Sequence, residues 1–154
     1  MNDLPALAAR LDTAVADVLA LRERVEAAAP WPLAELYGTE AEASWGPPEL
    51  LAHLDEMLPF WLGEAERILD GTGNDPVPFG RVAEETVRIG IIGRDRTVPL
   101  RELFARLAAD GARVAVRMRT MDDAESEKVG RHPVRGTYTV AGMLERYVIT
   151  HLEE

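Results

Sequence analysis

The chain has 154 residues, with 27 acidic against 17 basic side chains and a formal net charge of -10, which suits one domain spanning 1–154 and opposes nucleic acid as a partner, since that needs clustered Lys and Arg. An apolar share of 47% excludes a disordered chain, and no run approaches the ~20 apolar residues of a membrane span, so no membrane partner is expected. The absence of cysteine removes disulfides, thiolate nucleophiles and thiolate metal sites, and the N-terminus lacks a cationic segment leading into an apolar one, so a cytoplasmic location is expected.

Leu4, Leu7, Leu11, Val15, Val18, Leu21 and Val25 recur at the spacing of a helix with one buried face. This predicts a first helix from about Leu4 to Ala28, ended by Pro30-Trp31-Pro32. Leu33 to Ser44 reads as a connection with one short helical turn. A second helix opens at Gly46-Pro47-Pro48-Glu49, with proline at the first helical position and a carboxylate where the dipole favours it. Its stripe is Leu50, Leu54, Met57, Leu58, Trp61, Ala65 and Ile68, with Pro59 predicting a kink and Asp70 to Pro76 closing it.

Val77 to Thr97 is weakly patterned. A short helix over Val82 to Ile92, interrupted by Gly90 and Gly93, is the expectation, with a strand as runner-up. Leu100, Leu103, Phe104, Leu107, Val114, Met118 and Met121 predict a third long helix despite Gly111. A charged loop over Asp122 to Lys128 and a turn at Gly130-Arg131-His132-Pro133 precede a fourth helix. That helix starts near Thr137 or Tyr138 and carries Val140, Met143, Leu144, Tyr147, Val148 and Leu152.

Four amphipathic helices without a convincing strand predict an all-α four-helix bundle. About 28 residues join helices 2 and 3, against the 2–8 that link antiparallel neighbours, so an up-down-down-up order with a long crossover is expected.

Neither of the two serines, Ser44 and Ser126, stands in a GxSxG context, which argues against a serine hydrolase. The histidines are more informative. His53 falls on the buried stripe of helix 2 and His151 on that of helix 4, whereas His132, before a proline, is expected to be exposed in a loop. At about 1.5 Å of rise per residue, His53 lies about 9 Å into helix 2 and His151 about 20 Å into helix 4. Antiparallel helices bring the two rings within about one turn of each other. Paired imidazoles suit Zn, Ni or Fe. A carboxylate lies three residues after each ring, Glu56 and Glu154, and a two-histidine, one-carboxylate set leaves positions open for water or substrate. Arg113, Arg117 and Arg119 read as a solvated edge paired with local acids rather than a substrate site, and Trp31, Trp45 and Trp61 as core filling rather than a cleft lining.

The segment Trp45-Gly46-Pro47-Pro48-Glu49-Leu50-Leu51-Ala52-His53-Leu54 resembles the start of helix 2 in the DinB-like family. That family includes YfiT-type proteins and the N-terminal domain of mycothiol-dependent maleylpyruvate isomerases. The run from Gly136 to Glu154 resembles the family's last helix, which ends in His-x-x-x-His. The resemblance implies that His53 and His151 are metal ligands, and that the protein is similar to transferases or isomerases activating a low-molecular-weight thiol at a divalent metal. The third family ligand would fall at position 155, past Glu154. Either Glu154 or water takes its place, or the bundle is kept without metal. The competing expectation is a metal-free binding or interaction module, a homodimer through an apolar helix face, whose histidines only pack.

Overall fold

Helix α1, Leu4–Leu19, is started by Asp3, whose carboxylate accepts from the Ala6 amide, and buries Leu4, Ala8, Leu11, Ala14 and Val15 on one side. The computed structural model describes residues 3–73, 75–82 and 85–154. The single first helix read from the sequence is divided. The Leu21 amide bonds back to Val18, tightening the chain, and α2 (Arg22–Ala27) follows. The cause is a loss of buried face: Leu21, expected on the stripe, is exposed, and α2 buries no residue fully. A 3-10 turn at Ala41–Ser44 then leads into α3, Pro47–Asp70.

Glu49 fastens the start of α3 by accepting from the amides of Gly46 (3.2 Å) and Ala34 (3.3 Å). The helix is buried on more than one side, because α5 packs on one flank and α4 on another. That is why Glu49, His53, Asp55, Glu56 and Glu64 are buried along with Met57, Leu58 and Ile68, and why Leu50, expected inside, is 44% exposed. Pro59 lies within α3 on an exposed position.

The weakly patterned stretch contains a short strand, β1 (Val77–Pro78), and then α4, Thr86–Asp95. Part of the expected helix, residues 83 and 84, lies outside the described residues. Glu85 caps α4 by accepting from the amides of Val87 and Arg88. The two glycines do not break it; Gly93 faces Leu36, where a Cβ would come within 3.0 Å of that side chain. Ile89 and Ile92 join Leu36, Trp45 and Ala52 in a small apolar cluster beside the main core.

Helix α5, Leu100–Thr120, follows as predicted. The charged segment after it is a short helix, α6 (Asp123–Glu127), held by reciprocal bonds between Asp122 and Glu125. The expected turn at 130–133 is instead strand β2 (Val129–His132), paired antiparallel with β3 (Gly136–Thr139) and parallel with β1. The chain is therefore mostly helical with a small three-stranded sheet, which corrects the all-α expectation. Each strand has four residues or fewer, too few for alternation to register in the sequence. Gly130 is what lets the sheet lie on α3, since a Cβ there would fall 2.5 Å from Ile68 and 2.6 Å from Phe79.

The last helical run starts at Val140, with Thr139 capping the Gly142 amide, and comprises α7 (Val140–Leu144), a π turn (Glu145–Ile149) and α8 (Thr150–Glu153). Asp12 pairs with Arg119, and Gly111 abuts Val15, where α1 meets α5. Glu66 of α3 pairs with Arg117 of α5, and Trp61 of α3 stacks on Tyr147. No helix among the described residues is long and apolar enough to cross a membrane.

Candidate functional site

His53 and His151 both line a cleft of about 530 Å³, with their Nε2 atoms 2.8 Å apart and ring planes at 85°. His53 is buried as its stripe position predicts, but His151, expected on the buried stripe of the last helix, is exposed and meets His53 from the solvent side. His53 is 7% exposed, and the edge of Trp45 covers it at 5.9 Å between ring centroids.

Behind His53 stands a chain of charge. Its Nδ1 donates to Glu56 at 3.1 Å, and Arg81 donates to both oxygens of Glu56 at 2.5 and 2.7 Å. Arg88 comes within 3.9 Å of the same carboxylate. Because Nδ1 carries the hydrogen that meets Glu56, a neutral His53 presents Nε2 as a lone pair, and His151 supplies the single proton between the rings.

Burial lowers the pKa of His53, with the Arg88 and Arg81 charges adding and Glu56 opposing. His151 is lowered by burial, then by His53, Arg88 and Arg146, against Glu154. Burial alone would raise Glu56, but hydrogen bonds from His53 and Arg81 outweigh it and hold the carboxyl low. At neutral pH the site is an ionised carboxylate orienting uncharged imidazoles, the state in which histidine ligates metal.

Glu154 lines the same cleft beside His151. Among the described residues, no group of three His, Cys, Asp or Glu side chains is close enough to hold an ion together. The two facing nitrogens have one carboxylate behind them, Glu56, and Glu154 does not complete a three-ligand group.

His132 corrects the expectation of an exposed loop residue: it is 4% exposed. The strand turns it inward, where it stacks on Tyr147 at 5.3 Å, and Tyr147 stacks in turn on Trp61 at 4.5 Å. Gly80, at φ +91, lies so close that a Cβ would be 2.5 Å from the His132 ring, and Glu64 secures that loop by accepting from the Gly80 amide at 2.6 Å. Trp61 both fills core and borders the cleft, and Trp45 is buried. Arg113, Arg117 and Arg119 pair with Asp110, Glu66 and Asp12 respectively, away from the cleft.

Sequence reading missed Arg81, Arg88, Arg135, Arg146 and the inward His132, all of which line the cleft. No spacing rule could find Arg81, since its partner Glu56 lies twenty-five residues away on another element. Comparison with protein-family models, with curated proteins and with solved structures finds no match to this chain.

Proposed function

We propose that this chain is a DinB-like, metal-dependent enzyme in which His53 and His151 hold a divalent ion, Zn, Ni or Fe. The reaction in this reading is a thiol-dependent transfer or isomerisation of a small molecule bound in the cleft. The observation that carries it is the 2.8 Å approach of two Nε2 atoms from residues 98 positions apart, with Glu56 and Arg81 fixing one ring from behind. Carboxylate–histidine pairs of this kind set tautomer and ring direction at metal centres. Bound there, a divalent ion lowers the pKa of a thiol or water and polarises an electrophile. In this reading His53 and His151 would hold the ion, Glu56 orients His53, and Glu154, which lines the same cleft, would accept a proton.

The helix order that suits this reading is an up-down-down-up four-helix bundle. Asp12 and Val15 of α1 meet Arg119 and Gly111 of α5 in reversed order along the two helices, which supports an antiparallel pair. His53 and Trp61 likewise meet His151 and Tyr147 in reversed order. Asp55, under the charge of Arg106, and Glu66, paired with Arg117, run in the same order on α3 and α5, which supports a parallel pair.

Metal analysis after reconstitution with Zn, Ni or Fe tests the proposal. About one equivalent, lost on His53→Ala or His151→Ala, is expected; no retained metal removes it. The second reading is a metal-free bundle that binds a partner or a second copy of itself. The 2.8 Å separation favours it to the extent that this is also an ordinary hydrogen bond between imidazoles.

A further inference from the structure

The cleft reverses the charge balance of the chain. Acidic side chains outnumber basic ones 27 to 17 overall, yet among the described residues Arg81, Arg88, Arg135 and Arg146 line the cleft against Glu42 and Glu154. Two of these guanidiniums are committed within the fold. Arg81 is bound to Glu56 and lies 3.8 Å over the Phe60 ring. Arg88 donates to Glu42 at 2.8 Å and lies over Trp45 at 5.5 Å.

The other two are different. Neither Arg135 nor Arg146 forms an ion pair among the described residues. Arg146 rests over the face of Tyr147 at 5.9 Å. Arg135 sits in the β2–β3 turn, where its own amide is tied to Nδ1 of His132 at 3.2 Å. The charges of both act on the Tyr147 hydroxyl, and that of Arg146 reaches His151 as well, so they serve the same stretch of cleft. Beside them Trp61, Tyr147 and His132 stack on one another at interplanar angles of 18° and 10°, and this largely buried stack makes one wall of the cleft.

A guanidinium is a planar fork of donors that matches a carboxylate in a bidentate manner, and an aromatic wall favours an apolar body over water. We infer that the cleft takes a small organic acid, its carboxylate gripped by Arg135 and Arg146 and its apolar body lying along the Trp61–Tyr147–His132 wall. Its free end is thereby directed at His53 and His151. This deepens the substrate-site reading above and rests on it for the reaction, though not for the binding.

Benzoate is the probe, titrated calorimetrically into the full chain at low salt, with benzamide as its uncharged counterpart and inorganic phosphate as an anion without a body. Benzoate is expected to bind at least about tenfold more tightly than either. Arg135→Gln and Arg146→Gln should each weaken it about tenfold, and Arg146→Lys, which keeps the charge but not the fork, should weaken it less. Rising salt should weaken the wild type, a readout that needs no variant. Benzamide or phosphate binding as well as benzoate, or both glutamine variants binding like wild type, overturns the inference. His53→Ala should lose metal yet keep benzoate. If benzoate binding disappears with the ring, the acid sits on the histidines and the arginine assignment falls. Absence of metal in the wild type, with benzoate still bound through the arginines, would sink only the metal reading.

Discussion

Arg81 grips both carboxylate oxygens of Glu56, at 2.5 and 2.7 Å, and so fixes the acceptor that orients the His53 ring. Glu56→Gln keeps the shape but removes the charge that makes Nδ1–H a strong donor. We expect metal affinity to drop about 10–100-fold, by competition titration with a chromogenic chelator, with the circular dichroism unchanged. Arg81→Gln should shift affinity in the same direction, because Glu56 then loses its principal cation.

His132 sets a limit on the acid side. Its Nε2–H donates to the Arg81 carbonyl at 3.2 Å, while Nδ1 accepts from the amides of Val134 and Arg135, both at 3.2 Å. A proton on Nδ1 would occupy the point where two amide hydrogens converge. Burial, with the Arg135 charge adding and the Arg81 carbonyl opposing, lowers its pKa. The unfolded chain takes up this proton near the usual 6.5, while the folded one resists until lower pH. Its contribution to stability is therefore complete above that value and declines as pH falls through the interval below it. His53 and His151 act with the same sign. The test is the difference in thermal midpoint between wild type and His132→Gln from pH 7.5 to 5. The wild type should fall more steeply, and parallel curves would refute the assignment.

Asp55 acts on the alkaline side. It is buried, neither of its carboxylate oxygens has a hydrogen-bond partner among the described residues, and burial, then the charges of Asp110 and Asp95, push its pKa up to about 8 against the pull of Arg106. The folded state holds a proton that the unfolded state releases near 3.8. Stability from this group accordingly drops as pH rises between those two values and levels off above the higher one. Asp55→Asn should raise the thermal midpoint at pH 8.5 and leave it nearly unchanged at pH 4. Equal destabilisation at both would count against the account.

Gly111 sits in α5 against Val15, where a Cβ would lie 2.8 Å from Cγ2 and 3.3 Å from Cγ1. Valine has little rotamer freedom in a helix, so it cannot swing aside. Although alanine is intrinsically better in a helix by about 1 kcal/mol, Gly111→Ala should destabilise by about 1–3 kcal/mol in urea unfolding. The double variant with Val15→Ala should recover part of that loss, since the obstructing methyls are gone.

How much of the fold is legible in the sequence depends on how local each signal is. The periodic stripes of α1, α3 and α5 announce themselves because burial repeats with the helical turn, and the inward placement of His53 comes from the same periodicity, whereas His151, read as inward, is exposed. The meeting of the two rings is accessible through helical rise and chain order. The hairpin at 129–139 is not, because four-residue strands give too short an alternation and Gly130 resembles a turn residue when its real role is to admit Ile68 and Phe79. The inward turn of His132 is hidden for the same reason. Arg81, Arg88, Arg135 and Arg146 reach the cleft from separate elements, and only their packing in three dimensions brings them to one surface.

The five-residue bonding at Glu145–Ile149, where the Thr150 amide reaches back to Glu145 rather than to Arg146, has an outcome for the histidine pair. A widened loop of this sort amounts to one surplus residue in an otherwise ordinary coil, and each residue in such a coil rotates the downstream part of the helix by about 100°. Regular winding of the same residues would swivel His151 off the cleft by about that angle, whereas the widened turn absorbs the surplus residue and keeps the ring opposite His53. The partnership with His53 is thus written into an irregularity of the backbone one turn upstream.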